Sequence, residues 1–382
     1  MTTDLLLVAP HDGGHHAEFA RWILRAGQER GQTVALAAGP SLLAEASDLP
    51  ETASATVIFP EARAGGAWSS ARSYRHSLKG VISQVPAGRT LLVYLDAALP
   101  ALALPGQTPP GLAGLLFRPP FRIADPFSGR VRLAARRALL RHATRGPLQT
   151  LLTLDPAVVP LVDRRGTDVH ALPDPAEVST PSRAKHEVRS SYGIAEGRAL
   201  AVLFGSLEER KGTHALIAAL HRMTPAAAQR LAVMVAGRRP AGADGDRLAS
   251  ALKSAEVQTS VQVIFHPGFL PDPDLADLTA AADLILAPYV GHIGSSGVVV
   301  RAAAAGVPVV AQAAGQIGRE VRAHALGRTV ESSDAGALAR VLEEALDGHD
   351  GFDAQSAAAF AQAHTVSRFV DTLYDALFPS RV

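Results

Sequence analysis

The chain of 382 residues contains no cysteine and only four lysines among its 37 basic residues. Without thiols it cannot form disulfides, thiolate nucleophiles, iron–sulfur clusters or cysteine-based zinc sites. The net charge of +1 provides no bulk attraction for a nucleic acid, so we expect no nucleic-acid partner. Because lysine is so scarce, each of the four is worth considering as a candidate functional residue.

Long apolar runs are also missing. No segment reaches the roughly 18 consecutive apolar residues that would predict a membrane-spanning helix. The beginning, MTTDLLLVAPHDGG, lacks the basic start and long apolar core of a signal peptide. We therefore expect a soluble cytoplasmic protein, although Arg-rich stretches in the N-terminal half leave peripheral membrane contact open.

Short apolar runs alternate with helical patterns in two successive series. The runs of the first series lie at 5–9, 33–39, 56–60, 90–96, 150–155 and 169–175, and those of the second at 199–206, 231–237, 261–268, 283–289 and 307–312. A polar stretch at 176–195 separates the two series and has the composition of a linker. Strands that alternate with helices predict two doubly wound α/β domains with parallel sheets. Ligands in such folds bind outside the carboxyl ends of the strands, so we expect a site in a cleft between the domains.

The loop HDGGHHAEFARW follows the first strand and brings His11, Asp12, His15 and His16 together in sequence. Adjacent histidines rarely point at one ion, so no metal site is predicted. The flexible Gly13–Gly14 pair at a helix start suits the approach of an acceptor or phosphate, and a plain turn is the alternative. The loop is not GxGxxG, which disfavours a nicotinamide-dependent oxidoreductase. Asp96, at the end of a later strand, is a candidate acceptor contact or a helix cap.

Two segments of the second series place charges or aromatic groups after a strand. In FGSLEERKG, at 204–212, Arg210 and Lys211 precede a helix, an arrangement that suits a diphosphate. The alternative is a solvated run of charges. The loop at 266–269, which begins with His266, lies at the end of a predicted strand. An aromatic ring or a backbone edge in this loop can contact the base of a nucleotide.

A third segment, GSSGVVVRAAAAGVPVV at 294–310, predicts a helix that starts near Ser296 and presents free N–H groups to an anion. Arg301 lies one turn into this helix, where its guanidinium can pair with a carboxylate or face the same anion. A further Gly-bearing loop is predicted at 315–318, with Glu320 in the helix that follows.

In their order and spacing, FGSLEERKGTHALIAAL, HPGFLPDPDLADLTAAADLILAPY and GSSGVVVRAAAAGVPVVAQAAGQIGREV resemble the C-terminal domain of retaining GT-B glycosyltransferases of the family four superfamily, the glycosyl transferases group 1. The resemblance covers about residues 198–345, and GGHHAEFARWIL is similar to the opening acceptor loop of the same enzymes. It implies two Rossmann-like domains facing across a cleft, at 1–185 for the acceptor and 186–360 for a nucleotide sugar. A C-terminal helix at 361–382 would pack back on the first domain.

The resemblance also implies roles for individual residues. Gly13, Gly14 and Asp96 would lie on the acceptor side, His15 or His16 would contact the transferred sugar or the acceptor, and no cofactor or metal is expected. The donor diphosphate would be held by a set of residues from the second domain: Gly205, Ser206, Arg210, Lys211, His266, Gly294, Ser295, Ser296 and Gly297.

The sequence departs from the family at two positions. Two glutamates eight residues apart are usual there, and alignment on AAAAGVPVV places Ile293 and Arg301 at these positions. The prediction is therefore a hexosyltransferase-type enzyme that uses a nucleotide sugar and a saccharide, lipid or small-molecule acceptor. The alternative is a catalytically silent GT-B-like protein that binds a nucleotide or anion and acts through a partner.

Overall fold

The computed structural model describes residues 3–11, 16–60, 67–106, 108–121, 127–163 and 166–379. Its contacts divide the chain into two compact units, one of Met1–Pro173 with Val366–Val382 and one of Asp174–Thr365. Each is a doubly wound α/β domain, as the sequence predicts.

The first domain is built on a parallel sheet that has seven strands in the described part of the chain, in the order β3-β2-β1-β4-β5-β6-β7. Its strands are β1 Thr3–Ala9, β2 Val34–Ala38, β3 Thr56–Ile58, β4 Ala87–Leu92, β5 Leu112–Leu116, β6 Thr150–Thr153 and β7 Asp168–Ala171. Its helices are α1 His16–Glu29, α2 Pro40–Glu45, α3 Leu49–Thr52, α4 Ala67–Gln84, α5 Leu95–Leu102 and α6 Phe127–Arg145, with α16 Val366–Leu377 added from the end of the chain.

Apolar layers cover both faces of this sheet. On one face, α1 packs with α16, where the rings of Phe19 and Phe369 lie 5.0 Å apart. Helices α4, α5 and α6 contribute to the other layer. The sequences of the strands are nearly unbroken apolar runs because both faces of each strand are buried.

The second domain contains a parallel sheet with six strands among the described residues, in the order β10-β9-β8-β11-β12-β13. The strands are β8 Ala199–Phe204, β9 Leu231–Gly237, β10 Gln262–Pro267, β11 Leu284–Ala287, β12 Val309–Gln312 and β13 Gly327–Val330. The helices are α7 Lys185–Ser191, α8 Thr213–Leu220, α9 Pro225–Gln229, α10 Gly242–Gln258, α11 Asp272–Ala281, α12 Gly297–Ala304, α13 Gly315–Ala323, α14 Ala335–Leu346 and α15 Ala354–Ala363.

The boundaries between the domains differ from those inferred from the sequence. Residues 174–185 lie with the second domain, because Asp277 of α11 accepts hydrogen bonds from the backbone N–H groups of Ser182 and Arg183, at 2.6 and 3.1 Å. The chain returns to the first domain at Val366.

One predicted loop is instead part of a helix. Helix α13 begins at Gly315, so Gly318 lies inside it, against the carbonyl of Ala313. The close packing of this helix on the preceding backbone requires a residue without a side chain.

Candidate functional site: an anion site at the carboxyl ends of β8 and β11

Strands β8 and β11 are neighbours in the second sheet, so the segments that follow them meet at one edge. Gly205 directly follows β8, and a short 3₁₀ turn, Glu209–Lys211, then leads into α8. Tyr289 follows β11, and the chain continues through 290–296 into α12. The topology thereby gathers the predicted diphosphate segments on a single edge.

Lys211 is the central charged group of this edge. Its side chain is buried, and Nζ donates a hydrogen bond of 2.6 Å to the hydroxyl of Tyr289. The same Nζ lies 4.3 Å from the centre of the Tyr289 ring. Among the residues that the structure describes, no carboxylate pairs with this ammonium group. A buried cation without a counter-ion is costly, so the site is suited to receive an anion.

The hydrogen bonds continue from Tyr289 to the start of α12. The Tyr289 hydroxyl lies 3.0 Å from Oγ of Ser296, which caps the helix by accepting from the N–H of Val298 at 3.3 Å. The first N–H groups of an α-helix have no partner inside the helix, and they carry the positive end of its dipole. The ammonium of Lys211 and this helix end are therefore linked through one phenol.

Two glycines allow the backbone to turn tightly around Lys211. Gly205 has φ +113°, and a Cβ placed there would lie 3.4 Å from Nζ of Lys211. Gly212 adopts the left-handed conformation, with φ +75°, and a Cβ there would overlap the carbonyl oxygen of Pro288. A side chain at Gly212 would push the turn away from β11.

Arg210 and Ser206 lie on the exposed side of the same loop. Nε of Arg210 forms a 2.8 Å ion pair with Glu208, and the two side chains are 49% and 57% exposed. Ser206 points its hydroxyl at the same carboxylate, at 3.4 Å. These two predicted ligands therefore contact a neighbouring acid, whereas Lys211 does not.

The loop between Tyr289 and α12 is held from several directions. Nε2 of His292 lies 2.9 Å from the carbonyl oxygen of Ser295, and its ring meets the Tyr289 ring edge-on at 5.3 Å. The side-chain amide of Gln312 donates to the carbonyl oxygen of His292. This support fixes the predicted stretch Gly294–Gly297 at the start of α12.

His266 is the penultimate residue of β10, which is separated from β8 by β9. Its ring packs edge-on against Tyr192, at 6.0 Å, and its buried Nδ1 has no hydrogen-bond partner among the described residues. The structure thus places it on the same edge of the sheet but two strands away from Lys211.

Arg301 forms an ion pair inside the protein. A terminal nitrogen of its half-buried guanidinium lies 2.9 Å from a carboxylate oxygen of Asp272 in α11. Ile293, at the other unusual position, is half-buried, and its carbonyl oxygen accepts from the N–H of Gln316. The carboxylate partner of Arg301 is thus present in this chain.

The first domain carries a cluster of aromatic rings after β1, β4 and β5. The ring of His16 lies 5.1 Å from that of Tyr94 and 6.3 Å from those of His11 and Phe117. Gly13, Gly14 and His15, the other residues predicted for this loop, lie outside the described residues.

Asp96 is buried beneath this cluster. Its oxygens accept from the backbone N–H groups of Phe117 and Arg118, at 2.8 and 3.1 Å, and from the guanidinium of Arg136 at 2.9 Å. Burial raises the pKa of this carboxyl, and the hydrogen bonds oppose that effect. Asp96 therefore holds the turn after β5 and anchors α6.

Residues 184–363 match the family model described as glycosyl transferases group 1. The match covers nearly the whole second domain and none of the first. This family segment contains the whole edge around Lys211, Tyr289 and Ser296.

Two D-inositol 3-phosphate glycosyltransferases are relatives in sequence. The protein of Salinispora arenicola is 34% identical over 172 residues, which cover 43% of this chain and 37% of that one. The protein of Catenulispora acidiphila is 31% identical over 199 residues, covering 49% of this chain and 46% of its own length. The matches thus span less than half the length of these curated relatives.

Solved structures show that the similarity to the GT-B fold extends over nearly the whole chain. Sucrose-phosphate synthase from Thermosynechococcus elongatus has a TM-score of 0.75 at 16% identity, covering 99% of this chain and 100% of its own. WaaG, a glycosyltransferase of lipopolysaccharide biosynthesis, has a TM-score of 0.72 at 18% identity, covering 98% and 100%. HepE of Anabaena in complex with UDP has a TM-score of 0.70 at 15% identity, covering 98% and 99%.

The described ranges lack two further features. No three His, Asp or Glu side chains there are grouped so that they could bind a metal ion. No helix there combines the length and apolarity needed to cross a bilayer.

The side-chain contacts of Tyr289, His292 and Asp272 were not predicted from the sequence. Tyr289 gave one usable signal, since it lies two residues after the end of a buried strand, at the position where ligand contacts occur in α/β sheets. The partnership of Asp272 with Arg301 had no local signal, because 29 residues separate the two in sequence.

Proposed function

We propose that this chain is a glycosyltransferase that moves a sugar from a nucleoside-diphosphate donor to an acceptor, with retention of configuration at the transferred carbon. The second domain would bind the donor and the first domain the acceptor. The observation that carries the proposal is the buried ammonium of Lys211, which has no carboxylate partner among the described residues and is linked through Tyr289 to the capped start of α12.

The chemistry follows from the charge of the leaving group. Breaking the bond between sugar and diphosphate develops negative charge on the phosphate oxygens, and fixed positive groups stabilise that charge. Lys211 would supply a point charge, and the first N–H groups of α12 would supply aligned donors. Because these groups provide the positive charge, we expect transfer to need no metal ion.

The acceptor would bind beside the aromatic cluster of the first domain. The ring of His16 is half-buried there and would contact the acceptor or the transferred sugar. Burial raises the pKa of the Tyr94 hydroxyl, so it stays protonated near neutral pH and can donate a hydrogen bond. The names of the two sequence relatives make an inositol phosphate the first acceptor to test, ahead of other saccharides and lipids.

A silent GT-B protein is the second candidate, and one observation favours it. The two positions that carry glutamates in the resembling enzymes hold Ile293 and Arg301, and Arg301 already pairs with Asp272. Such a protein would keep the diphosphate site and lose group transfer.

The test combines binding with transfer. The melting temperature is measured with UDP, GDP and NAD, and transfer is then measured with labelled UDP-sugars, starting with UDP-glucose, which is bound in one HepE structure. We expect stabilisation by a nucleoside diphosphate but not by NAD, and label transfer to an acceptor or to water. Nucleotide binding without any transfer would favour the catalytically silent GT-B protein. Absence of stabilisation by any nucleotide would refute both candidate functions.

A further inference from the structure

Positive charge is concentrated in one part of a nearly neutral chain. Residues 62–154 contain 13 Lys and Arg but only two acidic residues, Asp96 and Asp125, whereas the whole chain has a net charge of +1. Asp96 is buried and pairs with Arg136, so it adds little negative charge to the surface. The functional site does not use this concentration of cations.

The fold presents the charges on one side of the first domain. Helices α4, α5 and α6 cover the same face of the sheet, and α5 packs between the other two. On α4, Trp68, Arg72, His76 and Lys79 are exposed at intervals of three or four residues, so they form one outward stripe.

Helix α6 adds further exposed groups. Val131 lies on its outward side, and Arg132 and Arg141, nine residues apart, are exposed on its two flanks. Arg137 donates to the carbonyl oxygen of Pro120, and Arg145 pairs with Asp163. Within the described ranges, no carboxylate pairs with Arg72, Lys79, Arg132 or Arg141. We call the exposed surfaces of α4 and α6 the basic face, defined by Trp68, Arg72, His76, Lys79, Val131, Arg132 and Arg141.

Two large apolar side chains lie among these cations. Trp68 is 67% exposed and Val131 is 70% exposed. Each lies near the start of its helix, and helices that follow parallel strands start at the carboxyl ends of those strands. Both apolar groups therefore lie toward the edge of the sheet that carries the aromatic cluster of His16, Tyr94 and Phe117.

We propose that the basic face docks the first domain onto the surface of a bilayer that contains anionic phospholipids. Unpaired Arg and Lys side chains are attracted to the negative surface potential of such a bilayer. Tryptophan prefers the headgroup region, where its ring is partly desolvated and its N–H still finds an acceptor. Cations with protruding Trp and Val fit this interface better than a nucleic-acid backbone, which would leave the apolar groups without a partner.

The proposal does not depend on the proposed transfer reaction, because vesicle binding needs neither donor nor acceptor. The full chain is mixed with vesicles of phosphatidylcholine alone or with about one third phosphatidylglycerol, and bound protein is measured by flotation at low and high salt. Each cation near the surface contributes about fivefold to partitioning, so replacing four of them with Gln should weaken binding by about two orders of magnitude or more.

The test variant replaces Arg72, Lys79, Arg132 and Arg141 with Gln. The matched control replaces four exposed cations of the second domain, Arg222, Arg247, Lys253 and Arg340, and so loses the same charge. Trp68→Ser tests the apolar contribution separately. Melting temperatures establish that every variant is folded.

We expect salt-sensitive binding to the anionic vesicles alone, loss of this binding in the test variant, and a much smaller loss in the control. Equal losses in the two four-residue variants would show attraction by net charge only and overturn the proposal. Absence of wild-type binding to anionic vesicles would also overturn it, as would tighter binding to a DNA duplex at the same salt concentration.

Discussion

Replacing Lys211 with Met gives the sharpest test of the anion site. Methionine keeps most of the apolar stem and removes the charge, so the buried volume changes little. A hydrogen bond to a charged group contributes about 1.5–3 kcal/mol, which corresponds to a 10- to 150-fold loss in the affinity for a nucleoside diphosphate. The loss should fall at the upper end of this range, because Lys211 is buried and has no competing carboxylate among the described residues.

Arg210→Ala is the matched control, because it removes one positive charge from the adjacent position. This guanidinium is half exposed and already pairs with Glu208. An exposed ion pair contributes at most about 1 kcal/mol, so we expect the control to lower the affinity by less than about fivefold. Comparison of the two variants separates the buried site from the general attraction of a positive loop.

The assay is calorimetric titration of UDP and GDP into the wild type and both variants. The melting temperature without ligand is recorded as well, because loss of the Lys211 contact with Tyr289 can change stability independently of binding. Wild-type affinity in Lys211→Met, together with intact folding, would refute the assignment of this edge as the diphosphate site. A larger loss in Arg210→Ala than in Lys211→Met would place the anion on the exposed side of the loop.

Three further predictions follow from the second domain. Tyr289→Phe removes both hydrogen bonds of the phenol but keeps the ring under Lys211, so urea denaturation should show a loss of about 1–2 kcal/mol in the free energy of unfolding. Burial lowers the pKa of His364 below its ordinary 6.5, so below pH 6.5 the unfolded chain takes up a proton that the folded chain resists. The wild type should therefore lose stability between pH 7.5 and 5.5, and His364→Gln should lose less; equal slopes would contradict the reasoning. Arg301→Glu should lower the melting temperature because it sets two carboxylates together, and adding Asp272→Arg should restore it; failure of the double variant to recover would refute a structural role for this pair.

The sequence pattern predicted the fold well where strands are buried on both faces. Strand β9 is the apolar run LAVMVAG, and strand β1 contains the apolar run LLLVA. Each strand lies in or near the centre of its sheet. Strand β5, LAGLL, was missed because it is short and enclosed by a Pro-rich stretch. Strand β13, GRTV, was missed because it is an edge strand with two polar residues. Tertiary pairing forms both strands, and local propensity alone does not specify them.

Prediction of the candidate site depended on how local each contact is. Ser296 was predicted as the start of α12 because a serine before an apolar helix is a local capping signal. Gly205 directly follows β8, and Lys211 lies in the short turn that leads into α8, so both were also found from the local sequence. The bond between Lys211 and Tyr289 joins residues 78 positions apart. It depends on β8 and β11 being neighbours, which the sequence pattern does not specify.

The ion pair of Arg301 bears on which part of a donor this chain would recognise. The elements proposed to hold the diphosphate are the turn at Gly205, the ammonium of Lys211 and the start of α12, and none of them requires an acid at 293 or 301. In the resembling enzymes those two positions lie near the donor sugar and the ribose. Arg301 pairs with Asp272, so their charges compensate each other and a single substitution would leave one charge without its partner. We therefore expect the departure from the family to change which donor sugar and which nucleoside are accepted. Binding of the diphosphate itself should be retained.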